Sequence, residues 1–232
     1  MKKDGKVTYG ISNKLNGQVD YRPDSTKERE GNKIKYFNSL GIDPSYIVGA
    51  GLVHGNNVTA VSKDDRGTTI PSVDGLVSND EGVVLCLTVA DCLPVYFYNV
   101  DKTVIGIAHA GWRGVVGSIV TEVLKKIDKE YGVSAQDMCI EIGPHIHPCH
   151  FRVQEDILDN FIDYPDCILR KNGEIFIDLA GIVKHQLRGC SVPEKQITLS
   201  DVCTHCNQDF FSYRRDRPEK VEVQTAWITM RG

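Results

Sequence analysis

Short apolar runs separated by polar turns dominate the chain from residue 46 onward. Valine and isoleucine are frequent in these runs, which favours β-strands over helices. Several runs contain almost no polar residue, so we expect them to be buried on both faces of a sheet. The predicted strands are Val7–Ile11, Tyr46–Val48, Asn57–Ser62, Val83–Val89, Val95–Tyr98, Val104–Ala108, Met138–Ile142, Ile175–Ile177, Gln196–Leu199 and Val221–Met230.

Helical spacing of apolar side chains is clearest between Arg113 and Tyr131, and Gly132 follows as a stop signal. Asp178 is suited to cap another helix that begins directly after it. The predicted helices are Arg113–Tyr131, Gln154–Ile162, Leu179–Arg188 and one in the polar N-terminal region that ends near Gly41. Many strands with fewer helices indicate a mixed α/β or α+β fold.

Length and composition narrow the class of protein. A chain of 232 residues suits one domain spanning 1–232, and its 41% apolar and 25% charged residues are those of a soluble globular protein. A net charge of −4 argues against a protein that binds nucleic acid by covering phosphates. The charged start, Met1–Lys6, leads into no long apolar segment. We therefore expect a cytoplasmic protein without a membrane anchor.

Eight cysteines in such a chain are expected to be reduced thiols. Some could be metal ligands, whereas others are small buried hydrophobic residues. The second interpretation is favoured for Cys86, Cys139, Cys167 and Cys190.

Three segments place polar groups where a predicted strand begins or ends. His54 enters a turn just before a strand, and Asp91-Cys92 directly follow the apolar run that ends at Val89. His109 ends another strand and is followed by a turn of small residues. These segments carry the candidate chemistry of the chain.

The same side chains allow more than one use. Two histidines and a cysteine can bind zinc and leave a fourth position open for catalysis. Alternatively, Cys92 acts as a nucleophilic thiolate with His109 as its base, or the residues simply belong to the core and to turns. The predicted helix start beside His109 is a candidate anion site, to which Arg113 would add a bidentate donor.

At these residues the chain resembles the YfiH-like proteins, which have been called laccase-domain proteins or multicopper polyphenol oxidases. The resemblance covers nearly the whole chain from about residue 50, and the combination of ADCLP with HAGWRG is highly specific. The matching pieces are Val53-His54-Gly55, Asp74–Asn79, Thr88–Pro94, His109–Gly114, Ile142-Gly143-Pro144, Cys203–Cys206 and Phe210–Asp216.

The resemblance implies a compact mixed β-sheet core flanked by helices, similar to the catalytic domain of certain bacterial deamidating toxins. It also implies a zinc ion held by His54, Cys92 and His109 beside a purine nucleoside pocket. Three stretches differ from the usual family pattern, and we expect them to touch the pocket wall. They are Leu52 in place of glutamine, the His145–Arg152 segment, and Val223–Ala226.

Further candidates surround this centre. Cys92, His109 and Asp91 are the predicted catalytic residues, although Asp91 could orient a ligand or cap its turn instead. The predicted phosphate-binding residues are Arg113, Arg214, Arg215 and Lys33. A second metal cluster is conceivable, but packing or pocket-lining roles are the favoured interpretation of its members, His145, His147, Cys149, His150, Cys203 and Cys206.

The leading hypothesis is therefore a zinc-dependent purine nucleoside phosphorylase acting on adenosine, inosine or methylthioadenosine with phosphate. Adenosine deamination is a further activity implied by the resemblance. The alternatives are a copper-dependent polyphenol oxidase, since thiolate and imidazole also bind copper, and a cysteine–histidine hydrolase. The sequence carries no indication of an oligomeric state.

Overall fold

A computed structural model describes residues 1–22, 25–99, 101 and 103–231 of the chain. Its helices are α1 (Lys27–Ser39), α2 (Trp112–Val116), α3 (Ile119–Tyr131), α4 (Leu179–Gly189) and α5 (Tyr213–Asp216). Its strands are β1 (Lys2–Asp4), β2 (Val7–Ile11), β3 (Ile47–Gly51), β4 (Val58–Ala60), β5 (Thr68–Pro71), β6 (Gly75–Ser78), β7 (Val84–Val89), β8 (Leu93–Asn99), β9 (Ile105–Ala110), β10 (Met138–Ile142), β11 (Arg152–Val153), β12 (Ile168–Lys171), β13 (Glu174–Ile177), β14 (Ile197–Leu199) and β15 (Gln224–Met230).

Within the described residues the strands form two mixed six-stranded sheets and one small antiparallel sheet. The first sheet has the order β1-β2-β15-β7-β3-β5, and the second has the order β14-β10-β8-β9-β6-β4. The small sheet, β11-β13-β12, is separate from both. The predicted mixed α/β fold class is therefore confirmed.

Strand β7 shows how the layers are stacked. Its side chains alternate, so that Leu85 and Leu87 join the core between the two large sheets while Val84 and Cys86 face the layer of α1. The outer face of the second sheet is covered by α2, α3 and α4 through a third apolar cluster. All six residues of β7 are buried, which confirms the prediction of strands covered on both faces.

Several predicted boundaries need correction. The segment predicted as a helix from Gln154 to Ile162 is a 3-10 helix, Glu155–Phe161, in which the Asn160 side chain donates a hydrogen bond to Ile157 O at 2.9 Å. The last strand begins only at Gln224, because Val221 and Val223 line a cavity instead. The capping of α4 is as predicted, since the Asp178 carboxylate accepts a hydrogen bond from Gly181 N at 2.9 Å. No described helix combines the length and apolar character needed to cross a bilayer.

The long helix predicted from Arg113 to Tyr131 is also broken, because α2 and α3 are separated by Gly117 and Ser118. Ser118 has φ 58° and ψ 43°, and its side chain makes no capping hydrogen bond. Left-handed backbone costs a non-glycine residue about 1–2 kcal/mol. The break turns α3 onto the second sheet, where its apolar face packs against β9 and β4.

We expect Ser118→Gly to raise the melting temperature by about 2–4 °C, because glycine adopts this conformation without the steric cost. Ser134→Gly is the matched control, since Ser134 has φ −69° and its side chain accepts a hydrogen bond from Gln136 N. That control is expected to lower the melting temperature. Calorimetry checks both, and a drop for Ser118→Gly would contradict the account of the break.

Candidate functional site

Strand pairing brings three polar side chains to one end of the two large sheets. Strands β8 and β9 pair so that Pro94 lies opposite His109, which places the turn before β8 beside the end of β9. That turn carries Cys92. In the other large sheet β3 runs parallel to β7, and the loop that follows β3 supplies His54. Residues far apart in the chain thus meet where the strands end.

His54, Cys92 and His109 form what we call the cavity cluster. Each offers one ligand atom, and the three atoms lie within 4.8 Å of one another. The rings of His54 and His109 are perpendicular, with centroids 4.7 Å apart. His109 is only 2% exposed, whereas His54 is exposed and Cys92 is half-buried. The cluster therefore has one open side.

Asp74 is the functional residue that the sequence analysis missed. Its buried carboxylate lies 2.8 Å from His109 Nδ1 and accepts hydrogen bonds from the backbone amides of Val53, His54 and Gly55 at 3.2, 3.0 and 2.8 Å. These bonds place His54 and His109 together. Because Asp74 is a carboxylate, His109 Nδ1 donates the proton and Nε2 is left for the cluster.

The electrostatics of these groups follow from their contacts. Burial opposes ionisation of Asp74, but the bonds from His109 and the backbone amides still lower its pKa. Burial likewise opposes the Cys92 thiolate, yet His109 and His54 lower the pKa of Cys92 to about 6. Burial would lower the pKa of His109, but Cys92 and Asp74 raise it to about 9. The thiolate is thus the favoured form of Cys92 near neutral pH.

The cavity cluster lies in the wall of a cavity of about 660 Å³. This is within the size range of small-molecule sites. The other walls are mainly apolar and aromatic, and their side chains come from several separate segments of the chain. They include Leu52, Val89, Trp112, Ile146, Phe151, Leu179, Tyr213, Val221 and Val223. Leu52, Ile146, Phe151 and Val223 belong to the three stretches that differ from the family pattern, so those stretches do reach the pocket wall.

Asp91 lines the cavity, and its carboxylate is held by hydrogen bonds that fit the orienting role left open by the sequence beside the catalytic one. Both carboxylate oxygens are engaged, one by Thr204 Oγ1 at 2.6 Å and the other by Ser212 Oγ at 3.0 Å and Arg214 N at 2.7 Å. Its carbonyl oxygen accepts a hydrogen bond from Ile146 N at 2.9 Å. Asp91 therefore ties two wall-forming loops to the turn that carries Cys92.

The predicted phosphate ligands divide into two groups. Arg113 and Arg214 line the cavity, whereas Arg215 and Lys33 do not. Arg215 donates to four carbonyl oxygens of its own loop and pairs with Asp216, and Lys33 pairs with Glu30 on α1. The structure therefore places these two side chains on a loop and on a helix surface, outside the cavity where the phosphate role was expected.

Arg113 is the cavity arginine with the least engaged side chain. It is exposed, its guanidinium lies 4.4 Å from the Trp112 ring, and no carboxylate of the described residues pairs with it. Arg214, by contrast, donates to the carbonyl oxygens of His150 and Arg152 at 3.3 and 2.8 Å. The helix beside Arg113 is only the five-residue α2, not the long helix predicted to form an anion site.

Only four of the six residues considered for a second metal cluster lie together in the structure. Cys149, His150, Cys203 and Cys206 come together, with ligand atoms within 4.8 Å of one another. His145 and His147 lie outside this group, and His145 Nδ1 instead hydrogen-bonds Gly143 O at 2.8 Å. Neither histidine lines the cavity beside Cys92, and neither does His150.

Gly111 lies directly against the cavity cluster. A Cβ built there would be 3.2 Å from Cys92 Sγ, 3.3 Å from His54 Cδ2 and 3.4 Å from His109 Cε1. Its φ of −67° suits any residue, so the fold itself tolerates alanine.

The cavity cluster is a candidate metal site, and we expect Gly111→Ala to weaken its affinity for added zinc on the order of tenfold, the size seen when groups behind metal ligands change. The melting temperature of the metal-free protein should change little. Gly31→Ala is the control, because its Cβ would meet nothing within 4 Å. Competition with a chromogenic chelator measures the affinity, and equal affinities for the two variants would contradict this prediction.

Residues 1–230 match the family described as multi-copper polyphenol oxidoreductase laccase, and the chain belongs to this family. The resemblance to YfiH-like proteins is thereby confirmed. Solved structures agree: YlmD from Geobacillus stearothermophilus has a TM-score of 0.91 at 28% identity, covering 98% of this chain and 93% of that one. The Bacillus licheniformis hypothetical protein YfiH has a TM-score of 0.89 at 27% identity, covering 97% and 93%.

Curated relatives carry a functional name. Purine nucleoside phosphorylase YlmD of Geobacillus stearothermophilus is 36% identical over 179 residues, which is 71% of this chain and 65% of the relative. Purine nucleoside phosphorylase YlmD of Bacillus subtilis is 32% identical over 236 residues, covering 91% and 84%. The chain thus spans a little under two thirds of the Geobacillus relative in that match and most of the Bacillus one.

Proposed function

We propose that the chain is a zinc-dependent purine nucleoside phosphorylase acting on adenosine, inosine or methylthioadenosine. In this reaction a phosphate oxygen bonds to C1′ of the sugar, the N-glycosidic bond breaks, and the base leaves with a proton. The observation that carries the proposal is the cavity cluster in the wall of a largely apolar cavity of about 660 Å³. The names of the curated relatives support the substrate class.

The residues of the cavity cluster fit a catalytic metal. Two imidazoles and one thiolate are ligands that zinc prefers, and three protein ligands leave a position open. All three residues line the cavity, so a metal ion that they hold would be accessible to a substrate bound there. When bound, zinc would supply a Lewis acid that stabilises negative charge developing beside it. The same ligand types accept copper, so metal analysis of protein purified without added metal decides between the two.

The protein side chains would bind and orient the substrates. The apolar wall excludes water and would bury the purine, with Phe151, Trp112 and Tyr213 offering aromatic surface. Arg113 presents planar, unpaired donors at the cavity and would bind phosphate in a bidentate manner. Asp74 would hold His109 in the tautomer that keeps Nε2 available.

The decisive experiment incubates zinc-loaded protein with adenosine, inosine and methylthioadenosine, with and without phosphate, and separates the products. The proposal requires phosphate-dependent release of the free base together with the sugar 1-phosphate. Inosine formed from adenosine without phosphate would instead reveal the deaminase activity. Absence of base release from every nucleoside by zinc-loaded protein would refute the proposed phosphorylase.

A cysteine hydrolase is the second candidate, and the observation in its favour is the alignment of Asp74, His109 and Cys92. This is the order of carboxylate, imidazole and thiol found in nucleophilic sites. His54 distinguishes the two proposals, because a second imidazole at ligand distance is needed for a metal and not for a thiolate nucleophile. Activity that survives complete metal removal and disappears on alkylation of Cys92 would favour the hydrolase.

A further inference from the structure

Four side chains outside the cavity come together in what we call the loop cluster: Cys149, His150, Cys203 and Cys206. The first two belong to the loop that follows β10, and the other two form a Cys-x-x-Cys turn between β14 and α5. The two pairs are more than fifty residues apart along the chain, since Cys149 and Cys203 are separated by 54 positions. Folding therefore brings two distant segments of the chain together.

The distances within the loop cluster fit a tetrahedral metal ion. Cys149 Sγ lies 3.7 Å from Cys203 Sγ and 3.8 Å from Cys206 Sγ. Sulfurs about 2.3 Å from a tetrahedral zinc ion are separated by about 3.8 Å. His150 Nδ1 lies 3.2 Å from Cys149 Sγ and 3.3 Å from Cys206 Sγ, a few tenths of an ångström less than the roughly 3.5 Å of a zinc-bound pair.

Further contacts favour ligands over unliganded thiols. Cys149 and Cys206 are exposed, although cysteine is among the residues most often buried. The backbone amide of His147 donates a hydrogen bond to Cys203 Sγ at 3.4 Å, which holds that sulfur in place beside Cys149. The His205 ring stacks on His150 at 3.8 Å and restrains its orientation. No helix begins at the Cys-x-x-Cys turn, unlike the usual redox arrangement of this motif.

We propose that the loop cluster is a second, structural zinc site with three thiolate ligands and one imidazole. Four protein ligands close the coordination sphere, so this site holds structure and does no chemistry. Binding replaces the thiol protons, which are released to solvent. The site is separate from the cavity cluster and does not depend on the proposed reaction.

The loop cluster lies next to residues that form one wall of the cavity. The loop after β10 contributes Ile146 and Phe151 to the cavity wall, and α5, which follows the later loop, contributes Tyr213 and Arg214. The Arg214 guanidinium already bridges the loops by donating to His150 O and Arg152 O. A metal ion at the loop cluster would join the same two loops covalently and so fix one wall of the cavity.

The test is the zinc content of reduced, zinc-loaded protein after dialysis, measured by mass spectrometry of the metal. We expect two zinc ions per chain in the wild type, one in Cys206→Ser, one in Cys92→Ala and two in the control Cys190→Ser. Cys190 lies outside both clusters, with its Sγ 3.5 Å from Thr121 Oγ1. A wild type with one zinc or fewer, unchanged by Cys206→Ser, would overturn the second site.

Two further measurements keep the test decisive if Cys206→Ser folds poorly. In Cys206→His, a histidine replaces the lost ligand, and we expect the second zinc to return. In Cys92→Ala loaded with cobalt, only the loop cluster remains, and we expect the intense thiolate-to-cobalt absorption of a tetrahedral three-sulfur site. Cobalt protein without that absorption would contradict the proposal.

A disulfide is the competing explanation of the short sulfur distances, and a count of free thiols distinguishes it from a metal site. The denatured, metal-free chain should show all eight cysteines of the sequence as free thiols. Two missing thiols, mapped by peptide analysis to the loop cluster, would indicate a disulfide and overturn the metal site. Loss of the second zinc should also lower the melting temperature by about 10 °C. This is the size expected when a protein loses a ligand whose dissociation constant is far below the ligand concentration.

Discussion

Cys92→Ala is expected to empty the cavity cluster of metal and to lower kcat/KM for phosphorolysis by about 10³-fold or more. The thiolate is the charged ligand of the cluster, and its pKa of about 6 means that it is present without help from the metal at neutral pH. Two imidazoles alone bind zinc far more weakly than two imidazoles and a thiolate. Losing several kcal/mol of charge stabilisation corresponds to three or more powers of ten in rate.

The measurement pairs steady-state phosphorolysis with zinc content, on wild type, Cys92→Ala and Cys190→Ser. Cys190 is a half-buried thiol far from the cavity, so its variant should keep both zinc and activity. Full activity in Cys92→Ala with zinc still bound at the cavity cluster would remove the basis of the proposed function. Loss of activity with zinc retained would point to the cysteine hydrolase.

Cys92 and His109 could be singled out in the sequence because each adjoins a strongly apolar strand. Val84–Val89 and Ile105–Ala110 are strongly apolar, so the polar residues at their ends are conspicuous. The family resemblance then joined segments that the spacing alone left scattered. The two-layer stacking of the sheets was not accessible, because it depends on which strand pairs with which across the whole chain.

Asp74 and the helix break show what local patterns miss. Strand β6 was not predicted, since its residues Gly75–Ser78 form a short run that begins with glycine and ends with serine. Its pairing with β9 places Asp74 beside His109, thirty-five positions away, and no local signal marks that register. Likewise, the apolar spacing continues across Gly117 and Ser118, although the backbone reverses there.

The loop cluster shows which part of a metal motif the spacing of residues leaves open. Six histidines and cysteines looked like a conceivable but unfavoured metal site, because motif matches alone are weak evidence. The structure selects four of them and separates His145 and His147 from the group. Which four side chains come together depends on how the turn at Cys149 packs against the Cys203–Cys206 turn. That packing is a tertiary property, which local sequence patterns do not show. The bridge between His145 and Cys203 backbones sets that packing.

Asp74→Asn is expected to weaken zinc binding at the cavity cluster by about 10–100-fold, the usual effect of losing the carboxylate behind a histidine ligand. The amide can no longer accept all the hydrogen bonds from His109, Val53, His54 and Gly55, so some of these buried donors lose their partner. We expect the free energy of unfolding to fall by about 2–4 kcal/mol.

Three readouts separate positioning from simple destabilisation. Zinc affinity should fall while kcat at saturating zinc falls less, because the ligands themselves remain. Long-range proton–nitrogen NMR on metal-free protein, recorded at about pH 10 so that the His109 ring is neutral, should show His109 leaving the Nδ1–H tautomer that Asp74 enforces. Asp74→Glu, which keeps the charge, should recover part of the zinc affinity. If His109 keeps its tautomer and Asp74→Asn binds zinc like the wild type, Asp74 acts only through the fold, and the arrangement that we assign to the cavity cluster is wrong.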